Sequence, residues 1–359
     1  MCTLAHRHAI HCILPPYILS RIAEHGPPEL RGTAIRALLV DPSIRIVRAA
    51  TAGPVLGSVA RLRSAAGNIL TPSPLRTIRD AQHKPEAPGA TVVRREGDAP
   101  TGDPAADEAY DGLGATFALY WEAYQRNSID DAGLPLDATV HYDEDYDNAF
   151  WDGTQMVFGD GDGALFNRFT LALDVIGHEL THGVTEKEAG LAYFNQSGAL
   201  NESISDVFGS LVKQKALGQD AAAADWLIGE GLFTPKVKGS ALRSMKAPGT
   251  AYDDPVLGKD PQPAHMDDFV RTNQDNGGVH INSGIPNRAF YLAAAAIGGN
   301  AWDRAGTIWY NALLDPNVRA NTDFAAFARV TVDVAGRLYG AGSVEAAAVG
   351  TAWSDVGVS

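Results

Sequence analysis

The chain has two cysteines in 359 residues, Cys2 and Cys12, and both fall in the first dozen positions. Everything after Cys12 is held together without internal disulfides. Long apolar runs are missing too: the one at 289–297, among the longest, is far short of the ~20 residues that a spanning helix needs. No membrane partner is expected. Cations are scarce, with 29 Lys and Arg against 43 Asp and Glu and a net charge of -14. That excludes nucleic acid as a partner, because phosphate backbones are bound by clustered Lys and Arg. The first residues, Met1-Cys2-Thr3-Leu4-Ala5-His6-Arg7-His8, contain no apolar stretch followed by a small-residue cleavage site. No standard secretory signal is read there, so the expected location is cytoplasmic, or extracellular by a non-standard export route. No fixed-period repeat is present, which argues against solenoids and propellers.

What remains is an ordinary globular composition, 45% apolar and 20% charged, in a chain long enough for two or three modest domains. Charge is divided unevenly. Residues 1–75 carry eight Arg, no Lys and three acids, leaving 21 basic and 40 acidic residues for the body. The stretch 15–50 reads as two short helices broken at Gly26-Pro27-Pro28, and 51–105, rich in Gly, Pro, Ala, Ser and Thr, reads as short strands between turns. A helix is predicted over 107–126, strands and tight turns over 138–163, and mainly helices from Leu171 onward. The Asp/Gly tract before Gly163 lacks the spacing and closing Glu of an EF-hand, so a turn-rich rim is predicted there rather than an ion site.

The segment His178-Glu179-Leu180-Thr181-His182 lies in a helical pattern that closes near Gly190. Residues four apart share one helix face, so two imidazoles can reach one ion while Glu179, one step round, faces a ligand of that ion. Zinc hydrolysis needs that geometry, a third protein ligand and an open fourth position. Taken alone, the pentapeptide also fits two surface histidines on an amphipathic helix. Downstream, 198–216 reads as a second amphipathic helix carrying Glu202 and Asp206 four residues apart. Glu202 can be the third ligand and Asp206 can accept the outer N–H of a ligating histidine, although an exposed acidic face has the same spacing.

Three motifs, NAFWDGTQMVFGDGDG at 148–163, HELTHGVTEKEAGLAYFNQSGALNESISDVFGSLV from His178, and DNGGVHINSGIPNRAFYL at 275–292, resemble the thermolysin-like zinc metallopeptidases, the gluzincins. The likeness covers most of 107–355. It implies an α+β, thermolysin-like two-lobe fold: a β-rich N-terminal lobe at 61–165, a mainly α-helical C-terminal lobe at 166–359, and the active-site helix between them. It implies one catalytic zinc on His178, His182 and Glu202, the last standing twenty residues past His182, with Asp206 behind the ligands. Glu179 becomes the general base, and Tyr193 and His280 the oxyanion donors, with Asp275 orienting His280. Protein or peptide substrates would pair with Asn148, Ala149 and Trp151 of an edge strand, and Arg243 would hold a substrate carbonyl. Phe166, Phe169, Val175 and Leu242 would line a pocket favouring cleavage on the amino side of bulky hydrophobic residues. Phe169 stands where the family more often has a smaller aliphatic, which implies a shallower pocket. His141 and His265 have no place in these motifs and are left as structural.

Two departures from the pattern carry expectations of their own. Thermolysin has a double calcium site, and here Asp174, Asp225 and Glu230 match it while Lys213, Leu227 and Gly231 replace acids; the calcium pair is expected to be lost, with Lys213 pairing with the remaining acids. At the front, Cys12-Ile13-Leu14-Pro15-Pro16-Tyr17-Ile18-Leu19 resembles the short propeptides of protealysin-type members. That implies a zymogen with an autoinhibitory small helical propeptide at 1–60, in which Cys12, Pro15, Pro16 and Tyr17 lie by the active site. Removal by (auto)proteolysis is placed roughly between 45 and 75. A basic front favours docking on an acidic body. Cys12 has two readings, a thiolate that fills the open zinc position in the precursor and a small buried residue. His6, His8 and His11 are read as a polar tail. A zinc aminopeptidase would add a Gly-rich amine-binding motif, and none is found; a silent scaffold would lack some of the ligands, base and donors that stand here together.

Overall fold

A computed structural model describes residues 11–51 and 72–359, with side chains described over 12–39 and 72–359. Cys2, His6, His8, the His11 side chain and most of the stretch expected to be cut lie outside the described residues.

The chain enters through β1 (His11–Cys12) and two helices, α1 (Pro16–His25) and α2 (Pro28–Thr51), separated at Gly26-Pro27. The break falls where the sequence placed it, but α2, at 24 residues, is longer than predicted. Next come β2 (Thr77–Asp80), β3 (Thr91–Arg95), α3 (Pro104–Tyr124), β4 (Asp137–Val140), β5 (Ala149–Trp151) and β6 (Gln155–Phe158). They form one six-stranded sheet in the order β1-β5-β6-β4-β2-β3. Strands β2, β4 and β6 run parallel, whereas β1, β5 and β3 pair antiparallel. Helix α3 packs on β2 and β4. It starts three residues before its apolar pattern because Asp103 caps it, accepting from Ala105 N at 3.0 Å, and Pro104 supplies a helical φ at no loss of a bonded N–H.

The remainder is mainly helical, with two small two-stranded sheets between the second and third of these helices: α4 (Leu173–Lys187), α5 (Asn195–Leu217), α6 (Asp275–Asn282), α7 (Gly284–Ile297), α8 (Ala305–Leu313), α9 (Phe324–Tyr339) and α10 (Val344–Asp355). Helices α4 and α5 are the predicted pair, and glycines let them touch. A Cβ on Gly209 of α5 would stand 2.4 Å from Asp174 O, and one on Gly177 of α4 would stand 3.0 Å from Gly209 Cα. Backbone therefore meets backbone, and short side chains from one helix reach the other. The buried residues form one core that runs from the sheet through both helices, and it includes Cys12, Ile13, Leu14, Ile18, Leu19 and Ile22 of the N-terminal segment. A two-lobed α+β body, as predicted, thus has its front stitched into the sheet edge and the core.

Candidate metal centre and cleft

His178 and His182 stand one turn apart on α4 with their Nε2 atoms 3.0 Å from each other. Their outer nitrogens are held. His178 Nδ1 lies 2.8 Å from Asp206 Oδ1, and His182 Nδ1 lies 2.8 Å from Asn201 Oδ1 and 3.0 Å from Ser205 Oγ. Those contacts leave both inner nitrogens turned toward Glu202, whose Oε2 is 3.4 Å from His178 Nε2 and whose Oε1 is 3.5 Å from His182 Nε2. All three side chains are at most 1% exposed. Burial depresses the His182 pKa to about 3; at His178 burial pulls the same way but the bonds to Asp206 and Glu202 win, raising it to about 9. Glu202, despite burial, is held well below the usual carboxylate range by His280 and His182.

Glu179 points into the same space. One donor atom each from His178, Glu179 and His182 lie within 4.8 Å of one another. Glu202 is nevertheless the better third ligand, because each of its oxygens faces one imidazole, while Glu179 Oε2 is bound by Trp151 N at 3.2 Å. Buried Glu179 Oε1 and Glu202 Oε2 accept no hydrogen bond. Two imidazole nitrogens, a carboxylate and such orphaned oxygens fit a zinc ion. Burial lifts the Glu179 pKa to about 8, which suits a group that takes and returns protons near neutrality.

Tyr193 and His280 close the other side. Tyr193 OH donates to Glu202 Oε1 and lies 3.1 Å from His280 Nε2. Asp275 holds His280 twice, its Oδ1 2.6 Å from Nδ1 and its Oδ2 accepting from the backbone N at 2.9 Å. The fold allows this by interrupting α6: Asn276, Gly277 and Gly278 all have positive φ, and a Cβ on Gly277 would stand 2.1 Å from Asn195 Oδ1. Arg243 is bidentate to Asp206, Nε to Oδ2 and Nη2 to Oδ1 at 2.8 Å each, and Asn287 Nδ2 also donates to Oδ2 at 2.8 Å. Buried Asp206 stays ionised, its pKa lowered to about 2 by Arg243 and His178 against desolvation.

The N-terminal segment lies in the cleft as an extended strand. His11 and Cys12 register against Trp151 and Phe150, Ile13 N donates to Ala149 O at 3.3 Å, and Leu14 N donates to Asn148 Oδ1 at 3.1 Å. Arg243 Nη1 donates to Ile13 O at 3.1 Å, and His280 Nε2 is 3.2 Å from Cys12 O. Cys12 meets the candidate centre through its carbonyl, which faces His280, and its side chain lies near enough to Tyr193 to act on it electrostatically. Pro15 and Pro16 turn the strand into α1, which carries Tyr17 against Tyr252. Phe166, Phe169, Val175 and Leu242 are buried, the two phenyl rings 5.9 Å apart.

Lys213 Nζ lies 2.8 Å from Asp225, 3.3 Å from Glu230 and 3.4 Å from Asp174. The ammonium occupies the middle of the acids that match the calcium pattern. Sequence reasoning missed Asn201, Ser205 and Asn287. The first two were within reach, since Asn201 and Ser205 repeat the four-residue step of Glu202 and Asp206 one position earlier; Asn287 meets Asp206 only through tertiary packing.

Comparison with known proteins agrees with the geometry. The family description "Thermolysin metallopeptidase, catalytic domain" matches residues 72–186, and "Thermolysin metallopeptidase, alpha-helical domain" matches 189–358. An extracellular metalloprotease of Pectobacterium carotovorum subsp. carotovorum is 53% identical over 346 residues, 96% of either chain. Protease PrtS of Photorhabdus sp. (strain Az29) is 49% identical over 96% of this chain and 91% of its own. The solved precursor of protealysin, a metalloproteinase from Serratia proteamaculans, is 54% identical and superposes with a TM-score of 0.86, covering 97% of this chain and all of its own.

Proposed function

We propose, from the premise that the chain belongs to the thermolysin metallopeptidase family and is a zinc metalloendopeptidase made as a precursor, that His178, His182 and Glu202 hold its one catalytic zinc. Bound there, zinc supplies a Lewis acid and a water acidic enough to lose a proton near neutral pH. Glu179 takes that proton and returns it to the leaving amine, steered by the Trp151 amide on its other oxygen. Tyr193 and His280 donate to the oxygen on which negative charge grows, and Asp275 fixes the ring and favours its charged form. Asp206 and Asn201 keep the ligand imidazoles facing inward.

A substrate strand would bond to Ala149 O, Asn148 Oδ1 and Arg243, with Trp151 beyond, as residues 11–14 do. Ile13, the residue whose carbonyl Arg243 holds, then stands for the side chain that enters the pocket of Phe166, Phe169, Val175 and Leu242, and cleavage falls on the amino side of bulky hydrophobic residues. The single observation that carries this reading is that antiparallel strand, which fills the cleft with its own Cys12 carbonyl against His280. It supports the reading of residues 1–60 as an autoinhibitory propeptide, with Cys12, Pro15, Pro16 and Tyr17 by the active site, removed by (auto)proteolysis between roughly 45 and 75. The double calcium site is replaced by Lys213. The name of the Pectobacterium relative favours action outside the cell; among the described residues no helix is long and apolar enough to cross a membrane.

Purified full-length protein, incubated with and without a zinc chelator, tests this through casein hydrolysis and the new N-terminus. Shortening accompanied by hydrolysis, both stopped by chelation, is expected; an unchanged chain with no hydrolysis under any condition would sink the reading.

A further inference from the structure

The carboxyl ends of the three parallel strands bring together residues that the catalytic cleft does not use. His83 follows β2 by three positions, His141 follows β4 by one and Asp160 follows β6 by two. Because β2, β4 and β6 are adjacent and parallel, their ends meet. His141 Nδ1 is 2.8 Å and His83 Nδ1 3.6 Å from Asp160 Oδ2, and one donor atom from each residue lies within 4.8 Å of the others. We propose that His83, His141 and Asp160 form a second metal site, for a zinc-type transition-metal dication, in the β-rich lobe.

Three observations beyond proximity support it. First, the chemistry of the donor set is selective: two imidazole nitrogens and one carboxylate oxygen suit zinc, cobalt, nickel or copper, whereas calcium and magnesium prefer oxygen alone. Second, His141 is already oriented as a ligand. Its far nitrogen, Nε2, lies 2.7 Å from Asp103 Oδ2, so a carboxylate fixes the tautomer that turns Nδ1 inward, as Asp206 does for His178. Asp103 is itself pinned as the cap of α3. Third, backbone joins the two histidine loops: His83 N donates to His141 O at 2.9 Å and Asp143 N to Lys84 O at 3.1 Å, and both histidines hold left-handed backbone, at φ 57° and 52°. Left-handed φ is uncommon for a side-chain-bearing residue, and here it occurs at two partners of one cluster.

Without a metal, a proton on His141 bridges Asp160 and Asp103, and Arg168 stands near both acids while paired with Glu108. A dication takes over that bridging and adds His83, whose side chain is 57% exposed and leaves the solvent side open to water. The bound ion is therefore exchangeable rather than locked in. It would also stiffen the cleft rim, since Gly159, next to Asp160, donates to Asn148 O at 3.0 Å, and Asn148 is the residue that holds Leu14.

The test uses the full chain with Glu179→Gln, which blocks self-cleavage, dialysed against zinc and assayed for bound metal by elemental analysis. Two equivalents are expected in this parent, one after His83→Ala and one after His182→Ala. Because His6, His8 and His11 could also collect metal, a His6→Ala/His8→Ala/His11→Ala variant is included and is expected to retain two. Asp160→Asn guards against a folding defect in the His83 variant and should also drop to one, with circular dichroism unchanged. Cobalt loading should give two visible absorption components in the parent and one in either second-site variant. One equivalent in the parent, or a second equivalent that survives both His83→Ala and Asp160→Asn, overturns the proposal.

Discussion

Asp174 and His178 stand one helical turn apart on α4, and each faces α5, yet the two turns handle buried charge in different ways. At Asp174 the cation is part of the chain: Lys213 Nζ sits among Asp174, Asp225 and Glu230 at 2.8 to 3.4 Å. Burial pushes the Asp174 carboxyl up even so, while the three acids hold the ammonium above its ordinary range. At His178 the donors converge on one another, with His182 Nε2 at 3.0 Å and Glu202 at 3.4 Å. The first cluster carries its own cation. The second, on the proposed reading, takes an ion from solution, and that dependence would make it useful for catalysis, because a metal with an open position can bind and polarise a substrate while a lysine cannot.

The comparison is broken most severely by Glu179→Gln, which keeps the ligands and removes the base. Zinc content should stay at that of the parent while kcat on a peptide substrate falls about 10²- to 10⁴-fold. Loss of metal along with activity would mean that Glu179 is a ligand, as its place within 4.8 Å of both histidines allows. His182→Ala should lose both.

Next in size is Lys213→Ala. Removing the resident cation leaves Asp174, 1% exposed, facing two more acids, and a buried pair broken in this way costs about 3–5 kcal/mol. Thermal unfolding in the Glu179→Gln background measures it. The comparison sharpens if calcium is added: the variant regains midpoint in proportion to the ion it binds, and the parent does not move. A parent stabilised by calcium would show that the ammonium has not taken the ion's place.

Asp206→Asn follows. It keeps the shape but weakens the charge on His178 and on Arg243, and zinc affinity should fall about 10- to 100-fold in competition with a chromophoric chelator. An equal fall for a substitution at Asp225, which touches only the lysine cluster among these groups, would contradict the separation of the two sites.

Much of this was legible before any coordinates. The two helices and the candidate ligands on them follow from local periodicity, and the resemblance supplied the twenty-residue step from His182 to Glu202 and the lobes. What escaped was non-local or too short to have a period. β1 is two residues long, and the bond from Arg243 to Ile13, the residue after it, spans 230 positions of sequence. The DNGG segment starts a helix with four consecutive left-handed residues, which aim His280 at Tyr193 and have no period to show it. His141 was set aside as structural because its motif had no use for it. Its partners Asp103 and His83 lie 38 and 58 residues upstream, the first brought close as the cap of α3 and the second by parallel strands.

The smallest effect separates two ways in which the N-terminal segment could cover the metal centre. If the Cys12 sulfur bound zinc, Cys12→Ser would release the precursor from latency. If main-chain bonds do the covering, the groups concerned are these: Cys12 O faces His280, Ile13 uses its N–H and carbonyl, and Leu14 uses its N–H. All four are main-chain groups that serine leaves untouched, so peptidase activity of uncleaved Cys12→Ser precursor should change by less than about twofold, with a stability loss of ~1 kcal/mol from burying a hydroxyl. Ile13→Pro is the matching control. It removes the N–H that Ala149 accepts while leaving the thiol in place, and should raise precursor activity measurably on a short fluorogenic peptide. Activation by the serine and silence of the proline would reverse the assignment, because only a side-chain ligand is sensitive to the first change and indifferent to the second.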